Sequence, residues 1–196
     1  MQYINQSKLV TIIFVLILLT CLLSCSPKTP SPFGNSSLKT ITLFPTVDVR
    51  KNKKTDDCKL KKDHRIQNEV AIALARKGYK VIVLDSFPVN STSYKKEAIA
   101  KMNVTELAKL GPPNSKYLMF IFLKDTSDQY LVLAAMYEVE LSAILIDKST
   151  GRCLWKNKAE GAGVALGAVQ ALLLPIDNTA LEKCVRKMLS TLPNNQ

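Results

Sequence analysis

The chain has 196 residues, enough for one domain or at most two. Its 27 Lys and Arg outweigh 16 Asp and Glu, a formal net charge of +11, and 47% of its residues are hydrophobic. That apolar share excludes a disordered chain, seven Gly in no fixed period exclude a collagen-like one, and a single His argues against a His-rich metal site or a His-based relay.

The N-terminal segment bears on the compartment. Lys8 is the only charged side chain before Cys25. Leu9 to Leu23, LVTIIFVLILLTCLL, is an almost unbroken apolar run. It has the size of a signal-peptide core and falls short of the ~20 residues that span a bilayer. Ser24 places a small residue directly before Cys25. Leu22-Leu23-Ser24-Cys25 resembles the lipobox of bacterial lipoproteins. The resemblance implies that the Cys25 thiol takes a diacylglycerol, that the signal is cut after residue 24, and that the new amine is acylated, with palmitate as the expected chain. Cys21 fits less well, because Thr20 is less usual at the small position. The competing reading is an uncleaved anchor helix with Cys25 an incidental thiol.

Ser26 to Ser37, SPKTPSPFGNSS, has no apolar period and reads as a flexible tether. Ser26, not Asp, follows the cysteine. Under enteric-type sorting this implies the outer membrane, with the domain facing the periplasm. Acyl chains at ~0.8 kcal/mol per buried methylene give stable anchoring when several act together. Loss of residues 1–24 leaves a charge of +10. The periplasm holds no chromosome, so no nucleic-acid partner is expected. The organisation expected is a signal at 1–24, a lipidated cysteine and tether at 25–38, and a single α/β domain at 39–193.

Thr40 to Val47, TITLFPTV, predicts an inner strand with Pro45 near its end. Arg50 to Arg65 then holds eight basic and three acidic residues, half of the mature excess charge. It reads as a basic loop. Arg50, Lys51, Lys53, Lys54, Lys59, Lys61, Lys62 and Arg65 form the candidate basic patch. A helix follows, with Asp63 as N-cap, Ile66, Val70, Ala73 and Leu74 on one face, and Gly78 as the stop. Tyr79 to Leu84 predicts a second strand, parallel to the first. Lys95 to Leu110 holds one or two short helices, broken by Gly111-Pro112-Pro113.

Three runs come next: Tyr117 to Lys124, Gln129 to Asp147, and Arg152 to Glu160. Asp125 to Asp128 reads as the first turn and Lys148 to Gly151 as the second, with Gly151 suited to positive φ. Gln129 to Asp147 is long for one strand, so a bulge or break is expected near Ala134–Tyr137. Gly161 to Leu174, GAGVALGAVQALLL, reads either as a buried helix or loop plus helix, or as an exposed apolar helix for a partner or membrane. Its glycine spacing is wrong for a dinucleotide fingerprint. Asn178 to Leu192 predicts a closing helix with Leu181, Val185, Met188 and Leu189 inward. The fold class is α/β, a mixed sheet of about five strands with a β-α-β start, an antiparallel meander and a C-terminal helix.

Several of these blocks in order carry a second resemblance. They are TITLFPTV, the helix into Gly78-Tyr79-Lys80-Val81, Val104-Thr105-Glu106-Leu107, and the hairpin Asp147-x-x-Thr150-Gly151-x-x-Leu154-Trp155. With the lipobox they resemble outer-membrane lipoproteins first noted as neisserial vaccine-antigen candidates. More broadly they are similar to the fold of the curli-secretion lipoprotein, the penicillin-binding-protein activator lipoproteins and the N-terminal domain of TolB. The chain departs from the pattern at Gly111 to Lys116, and its basic stretch is longer than usual. The resemblance implies a non-enzymatic accessory or assembly role in the cell envelope, without naming the partner.

The residues give little chemistry. Asp56, Asp57, Asp63 and His64 lie among basic residues that repel a cation, so no metal is expected. No nucleophile elbow stands in the chain, and Cys58, Cys153 and Cys184 fall in no catalytic signature. No catalytic residue and no cofactor is expected. In an oxidising compartment the three thiols allow one disulfide; Cys153 and Cys184 read as packed thiols and Cys58 as the exposed one. Glu138 and Glu140 share a strand face, which marks a solvent face more simply than a glycosidase pair. Tyr137 and Trp155 read as packing residues. Two functions remain. One is an accessory or assembly module that docks an envelope protein, or a second copy, through a sheet edge or the apolar segment. The other is a ligand-binding lipoprotein whose basic stretch takes an anionic envelope polymer or lipid head group.

Overall fold

In the computed structural model the described residues are 39–50, 59–87, 96–131, 134–167 and 175–195. The lipobox, the tether, Cys58 and residues 168–174 lie outside them. Strands β1 (Thr40–Leu43) and β2 (Val47–Asp48) lead into helix α1 (Lys59–Arg76) and strand β3 (Lys80–Val83). Two short helices follow, α2 (Lys96–Ile99) and α3 (Val104–Lys109). Strands β4 (Tyr117–Leu131), β5 (Ala134–Asp147) and β6 (Arg152–Leu166) precede the last helix, α4 (Ile176–Leu189).

The sheet has six strands in the order β3-β1-β4-β5-β6, with β2 continuing beside β4. β1 runs parallel to both β3 and β4, and β4, β5 and β6 form an antiparallel meander. The expected α/β class, parallel start, meander and closing helix are all present, with one strand more than expected. Short β1, TITL, is buried on both sides because it lies between two neighbours and under helices.

One face carries α1 and α4. Ile66, Val70 and Leu74 of α1 are buried, as are Leu181, Val185, Met188 and Leu189 of α4. Between the strands and α1 sits buried Gln67, whose Nε2 donates to the Leu84 carbonyl at 2.9 Å. It satisfies the Leu84 carbonyl just past β3. The second face is covered by α2 and α3 over Phe44, Leu118, Phe120 and Ile146. Phe44 stacks on Phe120 with centroids 4.3 Å apart. Asn103 caps α3 through a capping box with Glu106, which explains why a helix of six residues holds its place.

Four boundaries differ from the sequence expectation. Helix α1 starts at Lys59, so Asp63 lies inside it and residues 59–65 are not loop. Lys and Leu are good helix formers, and the helix runs on upstream of the capping candidate. Asp125 to Asp128 is strand, not turn: β4 continues through a bulge at Lys124, between Leu123 and Asp125. The reversal comes instead between Leu131 and Ala134, at the start of the Ala134–Tyr137 stretch where the length of the run called for a bulge or break, with no Gly or Pro to make it a turn by composition. Finally, residues 161–166 are the end of β6, not helix. Gly161, Gly163 and Ala165 alternate inward there, and a Cβ on Gly163 would press on the Ile176 carbonyl of α4. The small residues bring the α4 backbone close to the strand.

Candidate functional site

The basic stretch is the first candidate, and its described ends are already engaged. Arg50 lies beside Asp48: Nε donates to Oδ1 at 3.0 Å and Nη2 to Oδ2 at 2.9 Å, while Nη1 reaches the Thr126 hydroxyl at 2.7 Å. Its side chain is 13% exposed. Arg65, on α1, pairs with Asp177 at the start of α4 at 2.9 Å. Burial, and after it Asp177, pushes the Tyr137 hydroxyl up, while the Arg50 and Arg65 charges oppose that shift. Each described end of the stretch thus has its own carboxylate. Lys51, Lys53 and Lys54 lie outside the described residues. Lys59, Lys61 and Lys62 fall on the first turns of α1. His64 is exposed, as expected.

On the β4–β5–β6 face that carries α2 and α3, Glu138 and Glu140 do share one side. Lys158 Nζ sits 3.0 Å from Glu140 and 3.8 Å from Glu160, and the Ser127 hydroxyl donates to Glu138 at 2.9 Å. The Glu140 carboxylate raises the Lys158 pKa through a hydrogen bond. A cavity of about 230 Å³ opens here, with Asp125, Glu138, Glu140 and Glu160 in its lining. The carboxylates are tied to a cation and a hydroxyl, which is what a solvated sheet face requires. Among the described residues no group of three or more His, Cys, Asp or Glu is placed to hold a metal ion.

Cys184 is buried as expected, and its thiol donates to the Ala159 carbonyl at 3.2 Å. Burial pushes that thiol up to about 11. Cys153 is exposed, contrary to the expectation of a packed thiol, because the bulge between Leu145 and Ile146 sets it at the outer start of β6. Both thiols are free. Trp155 is buried, and its Nε1 donates to the Thr191 hydroxyl at 3.0 Å.

The outermost strand is a different kind of candidate. β3 is the end of the sheet, and its residues are apolar yet open: Ile82 is 46% and Val83 39% exposed. Ile72 on the neighbouring helix is 46% exposed. At the other end of the sheet, Val164 and Leu166 of β6 are also exposed. The β3 sequence, KVIV, reads as a buried strand; only the strand order shows it to be an edge. A second feature the sequence does not announce is a cavity of about 330 Å³ between α2–α3 and the sheet, with Met102, Val104, Phe122 and Ile144 inside and Lys124 and Lys156 beside it. No helix among the described residues is long and apolar enough to cross a membrane.

No protein-family model matches the chain, and no curated protein matches it. Solved structures do. The chain is similar to lipoprotein GNA1162 from Neisseria meningitidis at 16% identity, over 69% of this chain and 92% of that one, with a TM-score of 0.48. It is similar to the PelC dodecamer from Paraburkholderia phytofirmans at 15% identity, over 80% and 89%, with a TM-score of 0.47. It is similar to the LpoB C-terminal domain from Salmonella enterica at 12% identity, over 65% and 84%, with a TM-score of 0.38. The neisserial kind of lipoprotein that the sequence resembles is thus among the structures the chain matches.

Proposed function

We propose that this chain is a lipid-anchored lipoprotein of the bacterial outer membrane. Its domain faces the periplasm and serves as a non-enzymatic accessory or assembly module, docking an envelope protein or a second copy. The observation that carries the docking reading is the open apolar edge at β3. An apolar edge strand offers unpaired backbone groups and apolar side chains together, the two requirements for adding a strand from a partner. Soluble proteins blunt such edges with charge or Pro, and β3 has only Lys80. The anchoring reading rests on the Leu22–Cys25 resemblance.

The basic-stretch alternative would rest on its lysines. Arg50 and Arg65 spend their charge on Asp48 and Asp177. A ligand that used these two guanidiniums would have to displace an internal ion pair at each.

Two measurements test the proposal. Cells fed a clickable palmitate should label the wild-type chain, and Cys25→Ala should abolish label and membrane retention together. Label that survives Cys25→Ala contradicts the anchor. Complexes formed through β3 should hold when ionic strength rises well above physiological, whereas complexes formed through exposed lysines are screened beyond a Debye length of ~8 Å. Steep loss with salt favours the basic stretch.

A further inference from the structure

The α2–α3 cover stops short. These helices bury Phe120 and Ile146, but Phe122 and Ile144, one step further along β4 and β5, are only half-buried. The chain between α2 and α3 lines one side of the 330 Å³ groove through Ala100, Met102 and Asn103. Its size lies near the lower end of the ~300–1,000 Å³ usual for small-molecule sites. Its floor is apolar, with Met102, Val104, Phe122 and Ile144.

Its polar element is of one sign. Lys124 and Lys156 line the groove and are exposed, and among the described residues no carboxylate lines it. The β4 bulge falls at Lys124, and its Nζ sits 5.4 Å from the centroid of the Phe122 ring. The ammonium thus stands directly over the apolar floor. Among the described residues neither lysine has a carboxylate within ion-pair distance. Two acidic side chains on neighbouring elements are committed elsewhere: Glu140 to Lys158, and Glu106 to the Asn103 backbone. An apolar slot beside two unmatched ammonium groups is complementary to a molecule with a hydrocarbon body and an anionic end.

We infer that this groove binds a medium-chain fatty-acid carboxylate, its alkyl chain lying between α2–α3 and Phe122–Ile144 and its carboxylate meeting Lys124 and Lys156. This is independent of the docking reading, because β3 lies at the far edge of the sheet, with β1 between it and β4.

The full-length lipoprotein in its native membrane is irradiated with a medium-chain fatty acid bearing a diazirine, and in parallel with the methyl ester of the same probe. The adducts are mapped by peptide mass spectrometry. The acid is expected to label residues of the groove about tenfold more than the ester, the discrimination two exposed charge contacts supply. The double variant Lys124→Glu and Lys156→Glu should lose that label. It should instead take the matching alkylammonium probe at the same peptides, which also shows that the variant is folded. Equal labelling by acid and ester overturns the inference. So does labelling centred outside the groove, a signal that survives charge reversal, or a reversed variant that takes neither probe.

Discussion

Gly163 shows how much one missing methyl matters. It faces α4 so closely that a Cβ would meet the Ile176 carbonyl and the Ala180 amide. These are backbone atoms, and the helix would have to move. Gly163→Val should destabilise the domain by ~1–3 kcal/mol, the usual cost of overpacking, in urea unfolding monitored by Trp155 fluorescence. Unchanged stability would mean that α4 does not lie on β6 there. Tyr79 is a second informative residue. Its hydroxyl donates to the Pro193 carbonyl at 2.6 Å, while Lys77 Nζ holds the Leu192 carbonyl and the Asn195 amide bonds back to Lys77. The C-terminal tail is clasped to the α1–β3 turn, and Gly78, at φ 86°, leaves room for Asn195. Burial raises the Tyr79 pKa from 10.0 to about 12. The neutral phenol is therefore favoured by folding. Its contribution is complete below pH 10 and lost as pH rises from about 10 to about 12. Cys184, raised from 9.0 to about 11, contributes in the same sense between those values. Tyr79→Phe should flatten the fall of stability with pH across the upper window, at the cost of one hydrogen bond, ~1 kcal/mol at neutral pH. An unaltered slope in that window contradicts the burial of the phenol.

At the scale of elements, the legible parts of the sequence were those with a strong period and a chemical stop. α1 and α4 show apolar residues three and four apart, and each expected inward residue of α4 is buried. The Lys148–Gly151 turn has Asp147 Oδ1 accepting from the Ser149 amide and Gly151 at φ 64°, as its residues suggest. The illegible parts were those where tertiary pairing overrides local chemistry. Asp125-Thr126-Ser127-Asp128 has turn composition, yet its partners Tyr137 to Glu140 hold it in the ladder. The true reversal falls in an apolar run. Gly161 to Leu166 looks like a small-residue helix because glycine and alanine carry no strand signature, and only the approach of α4 explains them. Of the candidate site, the basic charge was legible, but the pairing of Arg50 with Asp48 and of Arg65 with Asp177 was not. Those carboxylates lie on other elements. The exposure of β3 was hidden for a similar reason: position in a sheet is a property of strand order.

For the whole molecule, among the described residues, helices cover the middle of the sheet while its end strands carry exposed apolar side chains. Helices close both faces over β1 and the base of β4, whereas β3 ends the sheet with exposed Ile82 and Val83. If the domain is tethered as proposed, such an edge is suited to capture a partner held near the same membrane, because a tether raises the local concentration of both. The account predicts that the anchor and the edge act together. The most direct test places a photocrosslinking amino acid at Ile82 in the full-length lipoprotein and irradiates living cells. Adducts to a discrete envelope protein, or to a second copy, are expected from position 82 and not from Glu182 on the exposed side of α4. They should disappear when Val83→Lys charges the edge, and fall sharply with Cys25→Ala. Equal adducts from both positions, or adducts indifferent to Val83→Lys, would contradict docking through β3.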